Sequence, residues 1–212
     1  MKLEDFIKIT GDLPVIEMEL LLAGIPNPDP FKVQISRWAK TGKLIQLKRG
    51  IYLLAKVYRK IEVYEPYIAS VLQRPSYISL EKALEYHGLI PEAVKVYTCV
   101  TTKRPAKFSS PVGIFRYKHI KTSLLWGYRA VILRQQTAFF AAPEKALLDL
   151  IYFSGIKVTT EYLEGLRLQN VEQIDSDILF DYAKKFKKPG MLRAAQVIKK
   201  YIQSYQSGEK AL

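Results

Sequence analysis

The chain has 212 residues, 49% of them hydrophobic, with 33 lysines and arginines against 20 aspartates and glutamates and a formal net charge of +13. This composition supports a packed core and excludes a disordered chain, and a single cysteine, Cys99, excludes a disulfide scaffold. No apolar run reaches the about 18 residues that a membrane span needs. The N-terminus lacks a signal-peptide pattern, so we expect a cytoplasmic protein with no membrane partner.

The positive charge is concentrated in one stretch. Residues 30–61 contain nine lysines or arginines and no acidic residue, whereas residues 1–29 contain two lysines and six acidic residues. Apolar side chains alternate with the charges throughout residues 30–61, which is typical of a folded segment and not of a disordered basic tail. A folded basic surface is therefore expected in the first third of the chain.

The first 60 residues are predicted to form a DNA-binding domain. Residues 3–10 and 14–23 are expected to be short helices. A third helix is expected to begin after Asp29, which would cap it, and to end before Gly42. Two strand-like runs follow at 44–47 and 51–54, joined by a basic turn that contains Gly50. Three helices and a basic hairpin are typical of a winged helix-turn-helix, in which the third helix enters the major groove.

The predicted third helix has an apolar face and a basic face. Phe31, Ile35, Trp38 and Ala39 share the apolar face at about 100° per residue. On the opposite face, Arg37 is expected to bind guanine, Ser36 to bond to several bases, and Val33 to contact a thymine methyl group. Phosphate contacts are expected from the long cations Lys32, Lys40, Lys43, Lys48 and Arg49. The alternative interpretation is an ordinary solvated helix with a basic face.

The rest of the chain is predicted to form a mixed α/β domain at residues 74–212 with a helical C-terminal part, so that the whole fold is α+β. Residues 55–73 are expected to be a connecting helix that Pro66 interrupts. Strands are predicted at 77–78, 94–101, 112–117, 128–133 and 139–141. Helices are predicted at 80–87, capped by Ser79, then at 143–153, 160–170, 176–187 and 191–205, with a break at Pro189-Gly190.

Four runs of residues resemble one known family, in the same order along the chain. Residues 35–45 (ISRWAKTGKLI) and 48–52 (KRGIY) resemble the N-terminal winged-helix domain of the AbiEi antitoxin family. Residues 77–92 (YISLEKALEYHGLIPE) and 142–150 (APEKALLDL) resemble the C-terminal region of that family. Between these two runs lie residues 101–104 and 113–117 in the expected order. The resemblance covers about residues 1–155.

The resemblance implies a bacterial antitoxin of the type IV toxin–antitoxin systems that mediate abortive infection, a form of phage defence. Such proteins are autorepressors that bind inverted repeats in double-stranded DNA at their own promoter. The partner toxin resembles a nucleotidyltransferase, and the antitoxin opposes its effect without a stable complex. A regulator with no cognate toxin is the alternative within the family.

A second basic cluster is predicted in the middle of the chain. It comprises Lys103, Arg104, Lys107, Arg116 and Lys118, interleaved with threonine and serine. The cluster is interpreted either as a second nucleic-acid surface or as a pair of solvated hairpin loops.

The sequence does not predict an enzyme, a cofactor or a metal site. His87 is expected to close a helix, and Cys99 to be a buried apolar residue in a strand. The tetrapeptide Glu-Lys-Ala-Leu occurs at 81–84 and again at 144–147, and a carboxylate beside a lysine occurs in metal-dependent nucleases. Such a nuclease is the alternative function, although the predicted strands at 94–101, 112–117 and 128–133 contain no acidic residue.

Overall fold

The computed structural model describes residues 2–207, which form a mixed α+β structure. The N-terminal module contains three helices and a small sheet. Its elements in chain order are α1 (Leu3–Thr10), β1 (Ile16–Glu17), α2 (Met18–Leu21), α3 (Asp29–Lys40), β2 (Leu44–Lys48) and β3 (Ile51–Leu54). The three strands are antiparallel in the order β1-β3-β2. Phe6, Ile35 and Trp38 pack with Leu44 and Leu54 into the core of this module.

The prediction of one helix at 14–23 is wrong, because this segment starts as a strand. Ile16 pairs with Tyr52 and Glu17 with Ile51, and the Met18 amide donates to the Gly50 carbonyl. Val15 and Ile16 are β-branched, and pairing with β3 outweighs the helix propensity of the residues that follow. Helix α2 is therefore only one turn long.

The start of α3 also differs from the prediction. Pro28 is the N-cap residue, and Asp29 is already within the helix. The carboxylate of Asp29 accepts a hydrogen bond from Lys32 Nζ at 2.9 Å instead of capping backbone amides. The expected bounds of the helix are otherwise close to those observed.

The segment between the modules forms two short helices, not one interrupted helix. A 3₁₀ turn at Lys56–Tyr58 is followed by α4 (Glu65–Leu72). Pro66 lies in the first turn of α4, where its missing amide hydrogen costs nothing, so it begins the helix and does not interrupt it.

The second module contains a six-stranded sheet. Its strands are β4 (Ser76–Ile78), β5 (Val96–Thr101), β6 (Ala106–Ser110), β7 (Gly113–His119), β8 (Tyr128–Leu133) and β9 (Gln136–Ala141). Their order is β6-β7-β5-β4-β9-β8, with parallel pairing of β4 with β9 and of β5 with β7. The sequence did not predict β6, whose alanine and serines have low strand propensity; pairing with β7 stabilises it.

Five helices complete the second module. They are α5 (Leu80–Tyr86), α6 (Pro143–Ser154), α7 (Thr160–Gly165), α8 (Ser176–Lys185) and α9 (Pro189–Gln206). Gly155 ends α6 in the left-handed conformation, as predicted. Pro189 and Gly190 begin α9 instead of breaking a helix, because proline is well suited to the first helical turn. No helix within residues 2–207 is long and apolar enough to cross a membrane.

The hairpin of β2 and β3 lies between two apolar cores. Leu54 packs on the N-terminal helices, whereas Ile51 and Leu53 on the other face of β3 pack into the large core of the second module. Helix α4 contributes Ile68 and Leu72 to that large core. The segment expected to link two separate modules is therefore part of the packing between them.

Candidate nucleic-acid interface

Helix α3 presents an exposed basic face opposite a buried apolar face. Ile35 and Trp38 are 3% and 4% exposed, and the Trp38 ring lies 5.0 Å from the ring of Phe6. These contacts fix the rotation of α3 about its own axis. The side chains that the sequence assigned to DNA all lie on the exposed side: Lys32, Val33, Ser36, Arg37 and Lys40.

The exposed face of α3 keeps most of its charge available. Lys32 forms an ion pair with Asp29 at 2.9 Å, but both side chains are solvent-exposed and such a pair contributes little stability. In the part of the chain that the structure describes, no ion pair involves Arg37 or Lys40. Arg37 and Lys40 therefore keep their charge available, whereas the exposed acids Asp29 and Glu19 lie near Lys32.

The turn of the hairpin adds one exposed cation to this side of the molecule. Gly50 has φ +80°, which a residue with a side chain rarely adopts, and it closes the turn after Arg49. Arg49 is exposed, and together with Lys32 and Tyr52 it lines a cleft of about 430 Å³ between α3 and the hairpin. Lys43, just after α3, is half-buried.

Lys48 lies elsewhere than predicted. Its ammonium group donates to the carbonyl of Leu72 at the end of α4 and lies 5.8 Å from the centre of the Phe108 ring. Burial, helped by the nearby Lys103, lowers the pKa of Lys48 below its usual value. The structure thus places Lys48 between the two modules and not on the surface predicted to face phosphates.

The predicted second basic cluster is divided in the structure. Lys107 and Arg116 lie opposite each other on β6 and β7, and with Lys118 they line a shallow depression in which the described residues include no acid. Lys103 and Arg104 lie in the turn before β6. The backbone carbonyl of Arg104 accepts a hydrogen bond from Gln73 at 2.9 Å.

The structure also shows a basic cleft that the sequence did not predict. It lies between the end of α6, the segment after it and the first half of α9, and its volume is about 870 Å³. In the part of the chain that the structure describes, no acidic residue lines the cleft, and four exposed cations do: Lys157, Lys188, Arg193 and Lys200. A sequence signal existed, because Arg193 and Lys200 are seven residues apart and so share one face of α9.

The most buried charges of the second module form a closed cluster. Lys145 and Asp149, one turn apart on α6, make an ion pair with both side chains fully buried. Asp149 also accepts hydrogen bonds from Tyr77 at 2.9 Å and Ser79 at 2.8 Å. Ser79 is the N-cap residue of α5, as predicted, but its hydroxyl bonds to Asp149 and not to a backbone amide of the helix.

Aromatic rings enclose the ammonium group of Lys145. The ring centres of Trp126 and Phe186 lie 4.7 and 4.9 Å away. Burial lowers the pKa of Lys145 and raises the pKa of Asp149, while their mutual attraction opposes both shifts. Neither side chain is exposed to solvent, and the two opposite charges are paired inside the core.

The residues considered for a nuclease belong to the two Glu-Lys-Ala-Leu runs. In the first run, Glu81 lies in the first turn of α5 and Lys82 forms an ion pair with Glu85. Glu144 is buried, and its carboxylate accepts a hydrogen bond at 2.9 Å from the backbone amide of Asp175, which caps α8. His87 ends α5, and its Nε2 lies 2.8 Å from the carbonyl oxygen of Ala141. Cys99 is fully buried in β5, which raises the pKa of its thiol. Between residues 2 and 207, no three His, Cys, Asp or Glu side chains converge as metal ligands.

Comparison with known proteins does not identify a family or a function for this chain. No protein-family model matches the chain, and no curated protein matches it. The similarity of about residues 1–155 to the AbiEi family therefore stays a prediction.

Proposed function

We propose that this protein is a sequence-specific DNA-binding transcriptional repressor that inserts α3 into the major groove. The observation that carries the proposal is the division of α3 into a buried apolar face and an exposed face of cations and small side chains. The major groove accepts a helix, and long cations with short polar groups between them suit its phosphates and base edges.

The order of elements supports the same proposal. Helices α1, α2 and α3, with β1 between the first two and a hairpin after the third, follow the order of a winged helix-turn-helix. In this arrangement, α3 is the recognition helix and the turn at Arg49 is the tip of the wing.

Each exposed side chain has a distinct role in the proposal. Arg37 donates two hydrogen bonds to a guanine, Ser36 bonds to a base edge and Val33 contacts a thymine methyl group. Lys40 and Arg49 bind phosphates on either side, with Lys32 and Lys43 as further phosphate contacts. Lys48 is left out because its ammonium group is engaged between the modules.

A mobility-shift assay with the DNA upstream of the protein's own gene tests the proposal. We expect retention of this duplex at low salt, and weaker retention of a shuffled duplex of equal length. Retention of both should fall steeply with added salt, since phosphate neutralisation releases counterions. Failure to retain either duplex at low salt would refute the proposal.

We further propose that the repressor acts as an antitoxin against a nucleotidyltransferase toxin. The support is the similarity of residues 77–92 and 142–150 to the AbiEi family. In the structure these runs lie together, because Tyr77 and Ser79 bond to Asp149. If the protein is an antitoxin of this kind, co-expression should relieve the growth arrest caused by a nucleotidyltransferase from a neighbouring gene. Unrelieved arrest would count against this second role.

A further inference from the structure

The depression beside β7 and the cleft beside α9 are joined by two half-exposed aromatic side chains. Phe153 lines the depression, and Tyr152 lines the cleft. The two rings, adjacent at the end of α6, meet edge to face with centres 5.3 Å apart. The depression and the cleft therefore lie on either side of one aromatic ridge.

A lysine lies over each ring of this ridge. The ammonium group of Lys118 is 5.2 Å from the centre of Phe153, and that of Lys188 is 4.4 Å from the centre of Tyr152. Such cation–π contacts restrict flexible lysine side chains while leaving the charge able to meet an anion. The ridge thus connects two groups of cations, which we call the basic track: Lys107, Arg116, Lys118, Lys157, Lys188, Arg193 and Lys200.

The charge of the basic track is not balanced locally. Among residues 2–207, no acidic side chain lines the depression or the cleft. In the described part of the chain, none of the seven cations takes part in an ion pair. A continuous row of unpaired cations attracts a ligand with several negative charges along its length.

The floor of the α9 cleft is apolar. The buried side chains of Ile151, Val158 and Met191 line it, and the exposed Ile156 adds apolar surface. A ligand that fits this cleft carries negative charges and also flat or apolar groups, which become buried against the apolar lining of the cleft. Unpaired nucleotides have this combination, since their phosphates meet the cations and their bases cover the floor. A duplex stacks its bases inside a stiff cylinder and presents mainly phosphates, so it would leave the floor exposed.

We propose that the basic track binds single-stranded nucleic acid, as a site separate from the duplex-binding face of α3. RNA and single-stranded DNA share the chemistry that this track recognises. The proposal does not depend on α3, because the cations of the track lie on β6, β7, α9, the segment after α6 and the residue that precedes α9, Lys188.

Fluorescence anisotropy with the full chain and labelled oligonucleotides of about 12 nucleotides tests the proposal. The probes are oligo(U), oligo(dT) and a DNA duplex of the same length. The wild-type protein should bind the single strands. For each phosphate contact, the logarithm of the association constant should fall by about 0.7 for every tenfold rise in salt concentration. Equal affinity for the two single strands means recognition by phosphates and base faces, and a preference for oligo(U) adds recognition of the 2′-hydroxyl.

A variant of the cleft and a control of equal charge identify the site. Lys157→Gln/Arg193→Gln/Lys200→Gln should lower affinity for the single strands at least tenfold and reduce the salt slope by about 2. Lys2→Gln/Lys8→Gln/Lys95→Gln removes the same charge from exposed positions outside the track and should change affinity less than twofold. Circular dichroism checks that both variants are folded.

Two results would overturn the proposal: no binding of single strands at low salt, or equal losses in the cleft variant and its control. Arg37→Ala separates this site from the duplex-binding face. It should weaken duplex binding and leave single-strand binding unchanged. If the wild-type protein bound the single strands but not the duplex, the repressor proposal would be refuted and the single-strand proposal would stand.

Discussion

At the scale of single residues, Lys145 and Asp149 show how far burial departs from sequence expectation. A lysine and an aspartate four residues apart on a helix predict an ordinary surface ion pair. Both side chains are instead fully buried, because Tyr77, Trp126 and Phe186 close over them from distant parts of the chain. The sequence around α6 does not indicate that these three distant rings pack against it. The buried cluster could therefore not be predicted from that sequence.

Removal of one charge from this pair should be costly. Asp149→Asn keeps the shape of the side chain but leaves the Lys145 charge buried without a counter-ion, and we expect a loss of about 3–5 kcal/mol in the free energy of unfolding. Asp181→Asn, at an exposed ion pair with Lys184, should cost less than about 1 kcal/mol. Urea unfolding of both variants measures the difference, and similar small losses in the two would contradict the structural role of the pair.

At the scale of elements, the hairpin of β2 and β3 was predictable, but its surroundings were only partly so. The runs at 44–47 and 51–54 and the turn at Gly50 were expected within one residue of their observed bounds. In β3, apolar residues occur on both faces: Ile51 and Leu53 on one, Tyr52 and Leu54 on the other. That pattern indicates a strand covered on both sides, with the turn at Arg49 exposed beyond it. Its second covering layer became visible only in the structure.

The neighbours Lys48 and Arg49 should therefore respond differently to substitution. Arg49→Gln removes an exposed cation at the tip of the turn and should reduce the salt slope of duplex binding by about one unit. Lys48→Gln removes a cation engaged with the Leu72 carbonyl and should leave that slope unchanged while lowering stability. Salt titrations of duplex affinity measure both slopes. An equal reduction in the two variants would show that Lys48 contacts phosphate after all.

At the scale of the whole molecule, the two modules are joined by packing as well as by the chain. Ile51 and Leu53 of the N-terminal module lie in the large core of the second module. Arg74 also makes two hydrogen bonds with Glu17 on β1, at 3.0 and 3.1 Å. The sequence predicted most elements of each module, but it missed β1 and β6 and placed a linker at 55–73. Chain-local patterns do not show that α4 contributes Ile68 and Leu72 to a shared core.

This packing predicts one cooperative unfolding transition. The two tryptophans report on different modules, since Trp38 lies in the N-terminal core and Trp126 beside the Lys145 cluster. In Trp126→Phe the fluorescence follows Trp38, and in Trp38→Phe it follows Trp126. Within each variant, the fluorescence midpoint in urea should coincide with the midpoint from circular dichroism. Separate midpoints would mean that the modules unfold independently.

The central claim is that α3 reads a DNA sequence through its exposed face, and Arg37 is its most direct test. Anisotropy titrations of the upstream duplex and a shuffled duplex give the ratio of specific to non-specific affinity. Arg37→Ala should lower this ratio by the equivalent of about 1–3 kcal/mol, because it removes a base contact. Arg167→Ala, an exposed arginine of the second module, should leave the ratio unchanged. An unchanged ratio in Arg37→Ala, or equal losses in the two variants, would contradict the claim.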